Sequence, residues 1–189
     1  MKEIEILVEV YSSPKEVIEK LKKFEYIGAH ETCDIYYYDP KRPNLKPDKK
    51  MEINECLRIR NKNNNSYITY KVDHFDENNK WLYSDEYETK IADIDTTKII
   101  LEKLGLKQLL TIHNKKSIYK YNDYEISFED VEELGHFMEV EYFTKADVDV
   151  KKIKHEIQTF INSLGIKVSD ELTMGKPEMI IRKHNIKAD

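Results

Sequence analysis

The chain has 189 residues, enough for one well-buried core, and its 40% hydrophobic and 35% charged residues place it on the polar side of globular proteins. A formal net charge of −5 excludes a protein whose main work is coating nucleic acid, because that needs a basic footprint. Arginine is scarce: only Arg42, Arg58, Arg60 and Arg182 stand among the 31 basic residues, and two of them lie two positions apart.

In chain order, a strand is expected from Lys2 to Val10, alternating Glu3, Glu5 and Glu9 with Ile4, Ile6, Val8 and Val10. Ser13, Pro14 and Glu16 form a capping box for a helix carrying Val17, Ile18, Leu21 and Phe24 and ending at Gly28. A strand from Ile35 to Tyr38 precedes a proline-bearing loop over 39–50, read as mobile, and two strands over 55–61 and 66–72 are joined through Lys62–Asn65 as a hairpin. After a strand over 81–90, Asp93 or Asp95 caps a helix carrying Ile99, Ile100 and Leu104 up to Gly105. Strands near 106–121, 124–130 and 136–143 follow, then a helix from about Asp147 to Gly165 and a partly helical tail. Many strands, three main helices and no glycine-rich linker make an α+β single domain the natural class. No apolar run reaches the roughly 18 residues of a membrane span and no signal-peptide pattern opens the chain, so a cytoplasmic protein without membrane association is expected. Cys33 and Cys56 lack the spacing of a metal or redox pair and read as buried small hydrophobes.

Four strands carry the pattern charge, apolar, charge: Glu3-Ile4-Glu5, Arg58-Ile59-Arg60, Glu86-Tyr87-Glu88 and Glu139-Val140-Glu141. Strand side chains alternate, so each triplet sends two like charges to one face. Lys71, Lys116 and Glu129 lie on strands of the same kind. A solvated sheet face would alternate in this way too. Against that stand the use of scarce arginine, whose planar fork suits phosphate oxygens, and the repulsion between adjacent like charges. The alternative is a sheet curled into a barrel, apolar outward beneath helices and charged inward around a polyanion and its metal.

The strings EIEI, LRIR, ITYK, DEYE and SFEDVEELGHFMEVE together resemble the CYTH family, the triphosphate tunnel fold of class IV adenylyl cyclases and thiamine or inorganic triphosphatases. The likeness covers residues 1–172 and leaves 173–189 as a tail. It is strongest to short bacterial class IV adenylyl cyclase-like proteins, through Leu134, Gly135, Phe137, Glu139 and Glu141. It implies a closed or nearly closed antiparallel β-barrel with helices outside. It implies further that Glu3, Glu5, Glu139 and Glu141 hold Mg²⁺ or Mn²⁺, that Arg58, Arg60, Lys71 and Lys116 grip a small-molecule triphosphate, and that Glu86, Glu88 and Glu129 are further tunnel acids; no catalytic residue is assigned. Leu7 stands where the family's opening motif has lysine, Glu129 replaces an aspartate, and the basic residue expected near Asn114 is missing. The implied activity is conversion of ATP to cyclic AMP and pyrophosphate. The alternatives are hydrolysis of thiamine triphosphate or tripolyphosphate, a binding module without turnover, and a scaffold with a merely solvated charged face. His74, His113 and His136 read as structural or solvent-facing, and Tyr36, Tyr37 and Tyr38 as packing residues. The lysine-rich 39–50 loop reads as a solvated charge run, with a lid as its functional alternative. The tail either covers an open barrel end or packs on a partner subunit in a homodimer.

Overall fold

The computed structural model describes residues 2–78 and 81–188. Its strands are β1 (Lys2–Glu9), β2 (Glu25–Tyr38), β3 (Glu55–Lys62), β4 (Asn65–Phe75), β5 (Trp81–Ile91), β6 (Lys107–Tyr121), β7 (Tyr124–Val131) and β8 (Gly135–Thr144). The helices are α1 (Pro14–Leu21), α2 (Ile94–Lys103), α3 (Val150–Ser163) and α4 (Lys176–His184). The strands close into an antiparallel barrel in the order β1-β5-β4-β3-β2-β6-β7-β8. None of the described helices is long and apolar enough to cross a membrane.

The chain divides into two compact units, and the first comprises Met1–His30, His74–Asp85 and Asn114–Thr173. Here β1 pairs with β8 from Lys2↔Thr144 to Glu9↔Phe137, and β8 with β7. Ile4, Ile6, Val8, Met138 and Val140 share one strand face and are buried against Val17 and Leu21 of α1 and Ile157 and Ile161 of α3. Each such side chain contributes about 1.5–3 kcal/mol by leaving water. Glu3, Glu5, Leu7, Glu139 and Glu141 occupy the opposite face.

The other edge of β1 is shared between two partners. Among the described residues, only Lys2 and Glu3 pair with β5. Further along, the segment after α3 takes over: the Ser169 and Leu172 N–H groups donate to the Glu9 and Leu7 carbonyls at 2.9 Å each, and Val10 bridges Val168. Lys154, 7% exposed on α3, fastens that segment. Its ammonium donates to the Trp81 carbonyl at 2.9 Å, lies 4.2 Å from the Trp81 ring centroid and pairs with Glu171.

The second unit comprises Glu31–Asp73, Glu86–His113 and Met174–Asp189. The β3–β4 hairpin turns through Asn63 and Asn64, both with left-handed backbone (φ 48° and 64°), the conformation that asparagine tolerates best after glycine. The outward face of β3 and β4 is apolar, and Leu57 and Ile59 form a core with Tyr37, Leu45 and Leu101. The segment read as a mobile loop thus contains a 3₁₀ turn, Pro43–Leu45, pinned by buried Leu45.

Two local expectations need correction. The first helix stops at Leu21 and Gly28 lies inside β2, because Phe24 leaves the helix to pack on the Tyr121 and Phe160 rings at 5.0 and 5.6 Å. In α2, which Asp93 caps, Ile99, Ile100 and Leu104 are 54%, 52% and 72% exposed rather than core. Ile94 and Leu101, seven positions and therefore two turns apart, meet the sheet instead.

Helix α4 begins at Gly175, where an added Cβ would lie 2.9 Å from Glu178 Oε2, so glycine permits the Glu178 carboxylate to fold back on the helix start. Burial pushes that carboxyl up to about 7, with Asp73 adding to the rise and the Glu178, Ile53 and Gly175 N–H groups opposing it. The folded state therefore binds this proton more tightly than the unfolded chain. The stability it contributes is full below the unfolded pKa and is lost as pH rises through about 7.

Two outcomes are expected. Replacing Lys154 by Met leaves Glu171 without its cation and lowers the unfolding free energy by about 3 kcal/mol, measured by denaturant titration, with Glu171→Gln on that background restoring part of it. Glu178→Gln flattens the fall in melting temperature that the wild-type protein shows between about pH 5 and pH 8.

Candidate functional site: charged strand faces in each unit

In the first unit, the alternation of β1 and β8 brings carboxylates together. Glu5 and Glu141 are direct cross-strand partners, and Glu3 lies two residues along the same face. One carboxylate oxygen from each of Glu3, Glu5 and Glu141 lies within 4.8 Å of the others. Burial, followed by the charges of Glu3 and Glu139, pushes the Glu141 carboxyl well above the usual range despite the opposing Lys116. Carboxylates held this close cannot all stay ionised unless a proton or a cation relieves them, and an oxygen-only set suits a hard divalent cation.

Glu139 is directed elsewhere. Its Oε2 accepts from Lys116 Nζ at 3.1 Å, and the same ammonium lies 2.6 Å from Glu129 Oε1. Glu129 is fully buried and also accepts from the Asn114 amide. Asn114, where the family likeness leads one to expect a basic residue, thus serves as a neutral donor to a carboxylate. Leu7, 7% exposed, lies opposite Glu139 on the charged face.

In the second unit, the register places Arg58 between Tyr36 and Thr69, Arg60 between Asp34 and Tyr67, and Lys71 beside Cys56, all on the face opposite the apolar core. Arg60 Nε and Nη2 donate to the two Asp34 oxygens at 2.8 and 2.6 Å, while Arg58 Nη1 stands 3.9 Å from Asp34. Burial opposes the charge on both guanidiniums, yet each is held more firmly protonated than usual, chiefly through Asp34. Lys71 Nζ is 3.8 Å from Glu86, and Glu88 accepts from Thr69 Oγ1 at 2.8 Å.

Sequence reasoning missed Asp34. The alternation in DIYYY was available as a signal: it places Asp34, Tyr36 and Tyr38 on the arginine face and Tyr37 in the apolar core. His74 Nε2 lies 2.9 Å from Asp85 and its ring stacks on Tyr83 at 4.5 Å, and His136 Nδ1 lies 3.7 Å from Asp130. In the 39–50 loop, Arg42 and Asn44 both donate to Glu55, at 2.9 and 3.1 Å.

A closed antiparallel barrel whose strands carry apolar residues under helices and ionised residues on the reverse face defines the class. Sequence comparison gives the family: the CYTH domain matches residues 1–174, and the chain belongs to it. It is 36% identical over 169 residues to a protein of Methanocaldococcus jannaschii that carries a provisional adenylate cyclase name, across 88% of this chain and 91% of that protein. A Pyrococcus horikoshii structure superposes with a TM-score of 0.77 at 27% identity, covering 95% of this chain and 99% of its own. A Hippeastrum protein, whose structure is described as revealing a dominant triphosphatase activity, shares the fold at 16% identity and TM-score 0.64, over 100% and 98% of the two chains.

Lys116→Met should leave two buried carboxylates without their cation. The expected loss is about 3–5 kcal/mol of stability near neutral pH, shrinking in acid as the carboxylates protonate, which unfolding curves at several pH values will measure.

Proposed function

We propose that the protein is a metal-dependent enzyme that binds a nucleoside or organic triphosphate and, like class IV adenylyl cyclases, converts ATP to cyclic AMP and pyrophosphate. One observation carries the reading: a CYTH domain holds three clustered carboxylates, Glu3, Glu5 and Glu141, and also a strand face bearing Arg58 and Lys71. The identity to the Methanocaldococcus jannaschii protein supports the cyclase form. Mg²⁺ or Mn²⁺ held by Glu3, Glu5 and Glu141 would neutralise charge on phosphate oxygens. Arg58 and Lys71 bind and orient the triphosphate through charge-assisted hydrogen bonds, so that the ribose 3′-hydroxyl attacks the α-phosphorus in line and pyrophosphate leaves. Lys116, tied to Glu129 and Glu139, orients the acidic face.

Leu7 favours a second reading. A buried apolar side chain where the family has lysine removes one cation from β1, which suits a module that binds the triphosphate without turning it over.

Incubation with ATP and Mn²⁺ tests these readings, with cyclic AMP and pyrophosphate as the expected products and Glu5→Gln expected to lower turnover. Orthophosphate without cyclic AMP overturns the cyclase in favour of a triphosphatase, the activity described for the Hippeastrum protein. Tripolyphosphate-dependent thermal stabilisation without product establishes the binding module, by mass action on the folded state. Absence of both product and stabilisation overturns the triphosphate reading.

A further inference from the structure

Two arginines on one strand face are not equivalent when a single carboxylate stands beside them. Asp34 is 5% exposed and sits directly across β2–β3 from Arg60. It engages Arg60 side-on, through Nε and Nη2 at 2.8 and 2.6 Å, which uses the edge of the guanidinium suited to bidentate capture of an oxyanion. Arg58 has no such partner. Its neighbours across the register are Tyr36 and Thr69, both uncharged, and its nearest approach to Asp34 is 3.9 Å, beyond hydrogen-bonding reach. Its Nε is buried without a hydrogen-bond partner among the described residues. A buried guanidinium donor left in that state is costly and retains its full capacity for an incoming oxygen. Arg60 thus takes both Asp34 oxygens by hydrogen bond, whereas Arg58 has only the more distant charges of Asp34 and Glu86 beside it.

We infer that Asp34 is a positioning residue that keeps Arg60 as a fixed part of the barrel wall, so that of the two arginines it is Arg58 that grips the anion. The inference rests on the triphosphate reading and divides labour within it. It also gives a physical reason for the paired arginines: one carries ligand, and the other, locked to Asp34, screens that carboxylate from the ligand's charge.

Tripolyphosphate binding, measured by calorimetry beside the melting temperature of each ligand-free variant, tests the assignment. Arg58→Gln is expected to weaken binding more than about tenfold, as loss of a charge-assisted anion contact should. The charge-neutral double variant Asp34→Asn/Arg60→Gln is expected to weaken it no more than about threefold, because it deletes a pair whose charges cancel. Arg60→Gln alone strands the Asp34 carboxylate and lowers the ligand-free melting temperature, which the double variant restores. The double variant tests the assignment even where Arg60→Gln fails to fold. Equal losses of binding in Arg58→Gln and in the double variant overturn the division of labour while leaving the triphosphate reading intact. Absence of binding by the wild-type protein overturns the triphosphate reading itself.

Discussion

Ionised side chains can be buried only when other charges or strong hydrogen bonds replace the water they lose, and this requirement governs the inner strand faces of the protein. Lys116 serves Glu129 and Glu139, Asp34 serves Arg60, and Lys71 stands near Glu86. Each cation is supplied by a strand adjoining its acid or by a near neighbour, so correct register is a condition for charge neutrality as well as for packing. A slip of one residue would put the acids among isoleucines and valines on the helix-covered face, at a cost no local adjustment could absorb. The two faces therefore enforce the same pairing, one by excluding water from apolar groups and the other by matching charges.

Glu3, Glu5 and Glu141 stand apart from that pattern. Their carboxylates crowd together, and burial with the charges of Glu3 and Glu139 raises the carboxyl of Glu141 despite the opposing Lys116. Leu7 lies between the two regimes, with Glu5 two positions before it and Glu139 across from it. Its apolar side chain neither adds to the carboxylate repulsion nor relieves it.

Much of this was legible in the chain itself, because period-two alternation is a strong local signal. The triplets around Ile4, Ile59 and Val140 announced both faces, the run Lys62–Asn65 announced the hairpin, and Asp93 or Asp95 announced the start of α2. Partnership was not legible, since it depends on register between strands distant in sequence. Nothing local says that Lys116 belongs to Glu129 and Glu139 or that Asp34 takes one arginine and leaves the other. The face that α2 turns to the sheet was also hidden: Ile99, Ile100 and Leu104 are as apolar as Ile94 and Leu101, and only the sheet decides which pair it covers. Lys154 was hidden for the same reason, being one lysine among 27 until Trp81 and Glu171 close around it.

The shared edge of β1 has a bearing on how the chain is made. The carbonyls of β1 at Leu7 and Glu9 are satisfied by residues synthesised much later, and its hydrogen bond to Ser169 spans 160 positions. Contacts of such separation form late, after the loop entropy between them has been paid. Until then the strand presents an unpaired ladder with valine and isoleucine behind it, the kind of edge that recruits a second chain. Glu9, beside Ser169 on that edge, places a charge where such a neighbour would have to dock. It thereby acts as a gatekeeper during the interval between synthesis of β1 and arrival of the segment after α3.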